Sequence, residues 1–195
     1  MKKVMIFAAV AVLALTSATI LKPTIFKVDT AKSTFKWTGK KVTGSHWGYI
    51  KFADGTLSVD KNVVKGGTFN VDMTSISVED TKGEWGTKLE GHLKADDFFG
   101  SASFPKSTLV LKTLTAKGGN NFDVKAALTI KGITQEVSFP ATIAVGKTDV
   151  KASASFKIDR TKFGIKYGSG SFFESLGDKA IDNDFMVEVN IVAAK

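Results

Sequence analysis

The sequence predicts an all-β protein of antiparallel strands, on three observations. Apolar residues recur at every second position, the breaks between these runs carry glycine, asparagine and aspartate, and none of the 195 residues is a cysteine. Alternation is clearest in the C-terminal half. Phe122, Val124, Ala126, Leu128 and Ile130 form one run, and after a Lys131-Gly132 turn Val137, Phe139, Ala141, Ile143 and Val145 form the next. Val150, Ala152, Ala154, Phe156 and Ile158 repeat the pattern, and Phe185, Val187, Val189 and Ile191 close it. Polar residues fill the gaps, so each strand has one buried and one solvated face.

Earlier strands are less regular: Phe35-Lys36-Trp37, Trp47 to Phe52, Thr56 to Val59, Phe69 to Met73, and Leu109 to Leu111. Breaks are expected at Asp54-Gly55, Gly66-Gly67, Gly118 to Asn121 and Gly146, which makes eight or nine strands joined by short turns. A meander of this length either packs as a sandwich or closes on itself to remove its edges, and the alternation leaves both open. Two segments interrupt it. Glu84 to Phe99 is helix-compatible, with Trp85, Leu89, His92 and Leu93 at helical spacing. Phe163 to Asn183 is a long glycine-rich connection, with one helical turn expected near Phe172 to Leu176. Long connections in small domains are usually functional or mobile.

The N-terminus has the three parts of a secretory signal peptide: Met1-Lys2-Lys3, an apolar run from Val4 to Leu15, and the small residues Thr16, Ser17, Ala18 and Thr19. The run is shorter than the ~20 residues a membrane-spanning helix needs. The expectation is that residues 1–18 are removed near Ala18, leaving 19–195 as one exported domain, periplasmic or secreted. Without cysteine there is no acylated lipoprotein anchor, disulfide or thiolate metal site. The core alone must hold the fold, which is feasible because a domain of this size buries about two-thirds of its unfolded surface.

The formal net charge is +8, with Arg160 the one arginine. Lysines stand singly along the strands, as at Lys36, Lys125, Lys147, Lys151 and Lys157, which fits solvated faces and protected edges. No arginine-rich or aromatic-interleaved patch suggests nucleic acid. Transient contact with an acidic membrane surface is compatible with the charge.

The common catalytic sets do not assemble. His46 and His92 are the two histidines, with no HExxH spacing to make a zinc site and no histidine after position 92 to complete a serine triad. Gly168-Ser169-Gly170 lacks the Lys-Ser/Thr of a phosphate loop. Asp96-Asp97 and Asp182-Asn183-Asp184 lack calcium-loop spacing, and Asp159-Arg160 reads as an oriented ion pair at a strand end. No catalytic residue, metal or cofactor is expected. An enzyme working on a bound lipid would have to draw on His46, His92, Glu84 and Asp97. The chain is rich instead in phenylalanine, fifteen residues against two tyrosines, which serves a filled core or a hollow one equally.

Four stretches resemble the YceI-like family of exported lipid- or polyisoprenoid-binding proteins. They are Phe26-Lys27-Val28-Asp29 with Ser33-Thr34-Phe35; Gly91 to Phe99 followed by Phe104-Pro105; Leu128 to Val137; and Ile158 to Ile165, containing Asp159-Arg160 and Phe163-Gly164. Their order and spacing hold from about residue 26 to the C-terminus. Lys32 replaces the usual histidine of the opening motif, and the insertion after Gly164 is long. The resemblance implies a closed, lipocalin-like antiparallel barrel of about eight strands with a short helical insertion. It implies a ligand too: an isoprenoid, quinone or other amphipathic lipid in an apolar cavity, bound without a chemical step. The residues expected to meet its tail are Phe35, Trp37, Phe69, Phe98, Phe99, Phe122, Leu128, Phe139 and Phe156, with a lysine or the Arg160 region meeting a phosphate or quinone head. Phe98, Phe99 and Phe104 could instead plug one end. An outer-membrane barrel of eight strands would also alternate, but aromatic girdles are hard to find and the chain ends Ala193-Ala194-Lys195.

Overall fold

A computed structural model describes residues 22–195; the expected signal peptide, residues 1–18, lies outside the described residues. Ten strands form a single sheet: β1 (Thr24–Val28), β2 (Thr34–Lys41), β3 (Gly44–Tyr49), β4 (Lys51–Asp60), β5 (Val63–Asp72), β6 (Lys106–Gly118), β7 (Asn121–Ile130), β8 (Ile133–Val145), β9 (Asp149–Asp159) and β10 (Asp184–Ala194). One helix, α1 (Gly83–Lys94), lies between β5 and β6, shorter at its C-terminal end than the Glu84 to Phe99 expected. Eight strands close in the order β1-β4-β5-β6-β7-β8-β9-β10, and β1 returns to β10 through Lys27↔Ala194 and Val28↔Ala193. The two extra strands follow: β2 takes the remaining side of β10 from Met186↔Thr38 to Asn190↔Thr34, and β3 pairs with β2. Closure therefore decides between the two arrangements the alternation left open.

The alternation runs as expected, with Val150, Ile158, Val187 and Ile191 buried inside. Lys51, Lys125, Lys151, Lys157 and Glu188 stand exposed on the outer wall. This polarity is opposite to that of a barrel facing lipid. Two expected breaks are strand interiors. Asp54-Gly55 sits in β4 beside a bulge, and Gly66-Gly67 sits in β5, while the β4–β5 turn is Lys61-Asn62 with φ of 49° and 62°. Gly55 and Gly67 serve close approach instead of reversal, whereas a Cβ on Gly66 would meet nothing within 4 Å. A Cβ on Gly67 would lie 2.8 Å from the Leu57 Cδ2, and one on Gly55 would lie 2.7 Å from the Val28 Cγ2. The Lys131-Gly132 turn is as expected, again with both φ positive, as a two-residue hairpin of this hand requires.

One wall is only half zipped. Ile143 donates its N–H to Asn120 on the β7 side, so the even-numbered residues of β8 turn toward β9. Pro140, which has no N–H, falls on that side, and β8–β9 pairing stops at Ala141↔Ala154. Inside the wall at this point Phe139 and Phe156 stack at 4.0 Å, nearly parallel at 7°.

The turns β4–β5, β6–β7 and β8–β9 lie at one end of the barrel. The opposite end is capped by α1, by the β7–β8 turn and by the long connection from Arg160 to Asn183. That connection contains a 3-10 turn at Gly177–Lys179 in place of the helical turn expected at Phe172 to Leu176. Glycines at 168 and 170 and an αL Ser175 (φ 58°) break any longer helical run. Buried polar groups hold it. The Arg160 guanidinium, 2 % exposed, donates to the carbonyls of Asp182 (3.0 Å), Ile165 (2.9 Å) and Ile181 (3.1 Å). Ser169, fully buried, donates to Asn183 Oδ1 at 2.6 Å. The expected Asp159–Arg160 ion pair is not the arrangement: Asp159 Oδ1 accepts from Thr161 N–H and Oγ1, capping the 3-10 turn Arg160–Phe163, whose C-cap Gly164 has φ 76°. Arg160→Ala would strand three carbonyls at once. It should lower unfolding free energy by about 3 kcal/mol or more, read from urea denaturation, with the loss of protease resistance concentrated in residues 164–183.

Candidate binding cavity

The inward faces do not fill the barrel. Between the cap and the middle of the barrel lies a cavity with about 1000 Å³ of atom-free space, part of it continuous with solvent. It is narrow, with about 120 Å³ open to the centre of a water molecule. Its walls are Phe35, Ile50, Phe52, Leu57, Phe69, Val71 and Met73 on one side, and Leu109, Leu128, Ile130, Phe139, Phe156, Ile158, Phe185 and Ile191 on the other. Space exists because three inward positions on β8 and β9 are alanines, Ala141, Ala152 and Ala154, with Ala141 directly opposite Ala154. Toward the far end Val59, Val64 and Val150 are packed shut, each no more than 6 % exposed.

Six of the nine expected residues share this cavity: Phe35, Phe69, Phe99, Leu128, Phe139 and Phe156. Trp37 and Phe98 instead line a second compartment at the cap, with about 470 Å³ of atom-free space. Phe122 faces neither; it lies toward the opposite end, beside a shallow polar groove with Pro140 and Ser153. It falls short because the alternation assigns a face and says nothing about height along the barrel. Phe104, considered as a plug residue, is 37 % exposed. The cavity residues beyond the expected nine include Phe52, Met73, Phe185, Ser107 and the alanines. The alanines were visible as small side chains within the inward alternation, a pattern that indicates room inside only once the opposite wall is known.

The two compartments are in series and share Ile50, Phe99 and Phe185. Phe99 and Phe185 meet edge to face with centroids 6.1 Å apart. Behind them an aromatic chain continues from Phe99 to Phe98 (5.2 Å), His92 (5.6 Å) and Tyr167 (4.4 Å). Arg160, Asp182 and Asp184 border the cap compartment, whose lining is otherwise apolar, and both aspartates are exposed to solvent. The Arg160 guanidinium stands over the Phe98 ring at 5.6 Å. Burial pulls its pKa below the ordinary value, opposed by the negative charges of Asp159 and Asp182. The cap is tied to the barrel by Lys131, whose ammonium donates to the carbonyls of Asp96 and Phe98, and by Glu90, which accepts from Val78 N–H at 2.9 Å.

His46, His92, Glu84 and Asp97 line neither compartment. His46 Nδ1 lies 2.8 Å from Asp80 Oδ2, and Asp80 Oδ1 accepts from Trp47 N–H at 2.9 Å, which fastens β3 to the segment before α1. Among the described residues no group of three or more histidines and carboxylates could hold a metal.

A closed antiparallel barrel with an apolar interior cavity is an architecture with room for a small apolar ligand. The comparisons are more specific. Residues 26–193 match the YceI-like domain, and the chain belongs to that family. Protein YceI of Escherichia coli O6:H1 is 27 % identical over 156 residues, covering 76 % of this chain and 75 % of its own. The crystal structure of BcnA from Burkholderia cenocepacia superposes with a TM-score of 0.70 at 22 % identity, covering 86 % of this chain and 99 % of its own. A polyisoprenoid-binding domain from Saccharophagus degradans superposes at 0.63 with 13 % identity, covering 87 % and 97 %. At these identities the structural likeness concerns the fold.

Two outcomes are expected here. Ser107 is 6 % exposed, lines the main cavity, and its Oγ has no hydrogen-bond partner among the described residues. Ser107→Ala should therefore leave the ligand-free protein unchanged or up to about 1 kcal/mol more stable in urea titration. The Asp80 carboxyl is held below its ordinary pKa: burial pushes it up, and the hydrogen bonds from Trp47 N–H and His46 outweigh that. A lowered folded-state pKa adds stability at pH values above the unfolded carboxylate pKa and loses it as pH falls through the folded one. Tm of the parent and Asp80→Asn should differ at pH 6 and converge as the pH drops below about 4.

Proposed function

We propose that this chain is an exported, non-enzymatic lipid carrier, residues 19–195 after loss of a signal peptide. It holds an isoprenoid or similar amphipathic lipid in the barrel for transport or sequestration, with contact to membranes brief and the ligand its principal partner. The observation that carries the reading is the narrow apolar cavity under the cap, its walls almost entirely hydrocarbon. Burial of apolar surface contributes about 2.5 kcal/mol per 100 Å², so a chain-like tail needs no polar anchor along its length to bind. Family membership and the polyisoprenoid-binding domain among the structural neighbours support the same class of ligand. The polar outer wall favours a barrel released into an aqueous compartment over one embedded in a bilayer.

The test uses protein expressed with its natural N-terminus. Osmotic shock should release it without detergent, N-terminal sequencing should begin near residue 19, and organic extraction should yield one lipid per chain. Ala152→Phe, which fills the cavity from a position that leaves the hydrogen-bond ladder intact, should cut the extracted lipid at least tenfold while the protein stays folded by circular dichroism. Protein that emerges lipid-free and binds no isoprenoid would end the proposal.

A further inference from the structure

Between β8 and β9 the barrel wall is unzipped beside the main cavity. The register would continue from Ala141↔Ala154 through Phe139↔Phe156, Ser138↔Lys157 and Glu136↔Asp159, but pairing stops where Pro140 has no N–H to give. Both ends of the unzipped stretch are closed. The ladder closes it toward the far end, and toward the cap Gln135 Nε2 donates to Lys162 O at 3.2 Å. On the inside it is covered by the Phe139–Phe156 stack. Ala141, Ala154 and Phe156 face inward and are nonetheless partly exposed, whereas Val124, Ala126, Leu128 and Ile130 on the neighbouring β7 are buried. On the outside the rim residues Ser138, Pro140, Ser155 and Lys157 are exposed to solvent. The wall is also thin here: the polar groove on the outer surface and the cavity share Ala141, Ser153 and Ala154.

We propose that the lipid enters and leaves the cavity sideways, between β8 and β9, with Phe139 and Phe156 as the gate. The inference rests on the lipid-carrier reading and adds a route to it. Parting the two rings breaks no ladder hydrogen bond, and an apolar chain passing between them replaces their contact with its own. The other routes cost more. At the far end Val59, Val64 and Val150 are packed shut. Lifting the cap breaks the bonds of Arg160 to three carbonyls, those of Lys131 to Asp96 and Phe98, and that of Glu90 to Val78. Hydrogen bonds of charged groups are the stronger kind, and here most hold main-chain groups that have no other protein partner to turn to. The β5–β6 ladder is also short, ending at Thr68↔Val110, but there a Cβ on Gly67 would lie 3.3 Å from Leu111 Cδ1, so side chains close the seam.

The test is kinetic, with retinol as a fluorescent isoprenoid and stopped-flow mixing for uptake and release. The chain has no cysteine, so introduced pairs react alone. Ser138→Cys with Lys157→Cys places both thiols on the exposed rim, where a short bis-maleimide links the two strands. The link should slow uptake and release alike, by about tenfold or more, and leave Kd within about twofold, because it acts on the passage and on neither end state. The same pair capped singly with N-ethylmaleimide should exchange at the parent rate. Lys41 and Ile181 face each other as an antiparallel bridge, so Lys41→Cys with Ile181→Cys pins the long connection to β2 by a disulfide and should leave both rates unchanged. Phe156→Leu, which removes one ring of the gate, should speed both. Exchange at the parent rate through the linked wall, slowing by the cap disulfide, or unchanged rates in Phe156→Leu would overturn the lateral route while the carrier reading stands. A parent protein that takes up neither retinol nor a longer isoprenoid alcohol would overturn the carrier reading itself.

Discussion

The barrel depends on the two sides of β10. One side pairs with β9 along the whole strand, from Asp184↔Asp159 to Ala194↔Asp149. The other side is shared in succession by β1 and β2, and the chain must step sideways between them without leaving a hole in the ladder. Asp29 and Ser33 make that step. Asp29 N–H donates to Val192 O, and its carboxylate accepts from the N–H groups of Ala31 and Lys32. Ser33 Oγ, buried, accepts from Val192 N–H at 3.0 Å and lies 3.3 Å from Val192 O. A serine hydroxyl thus stands where a strand backbone is missing, and the sheet closes with no unpaired edge at that point. Lys32, in place of the family's usual histidine, sits on the outer surface of this corner and pairs with Asp29 at 2.8 Å, so the closure does not depend on which side chain is there.

The other residues that carried the family resemblance do comparable backbone work. Lys131 and Gly132 turn the β7–β8 hairpin with two positive φ angles, and Lys131 then ties the cap down. Asp159 caps a 3-10 turn, Arg160 gathers three carbonyls of the long connection, Phe163 is 1 % exposed, and Gly164 ends the turn in αL. These motifs were legible because each fixes a backbone that side-chain alternation cannot fix: a corner, a hairpin, a cap. Alternation in turn made the inward faces legible, down to Val187 and Ile191. Neither signal fixes height along the barrel axis. That is why Phe122 and Phe139, two inward phenylalanines on neighbouring strands, separate into different environments. It is also why Trp37 and Phe98 belong to the cap.

The early strands were less legible for a related reason. Gly55 and Gly66-Gly67 read as turns because glycine most often relieves φ, whereas Gly55 and Gly67 remove a Cβ where Val28 and Leu57 come close. The true turn, Lys61-Asn62, contains no glycine; its asparagine at φ 62° belongs to the few side chains that tolerate the left-handed region. Hollowness was the hardest property to read. It is written in Ala141, Ala152 and Ala154, and an alanine on an inward face is equally consistent with tight packing until the opposite wall is known.

Closure and volume are therefore carried by separate residues. Asp29, Ser33, Arg160 and Gly164 act on main-chain groups, and changing any of them alters which carbonyls and N–H groups are paired. The cavity residues act through side-chain size alone, since each stands on a strand whose hydrogen bonds belong to the backbone. Enlarging Ala152 or trimming Phe156 changes the space and its packing energy without touching the ladder. The half-zipped β8–β9 wall weakens this separation at one place: beyond Ala141↔Ala154 the two strands are joined by the Phe139–Phe156 stack and no longer by ladder hydrogen bonds. There a side chain that faces the cavity also holds the wall, so the size of the cavity and the integrity of the barrel meet in a single aromatic pair.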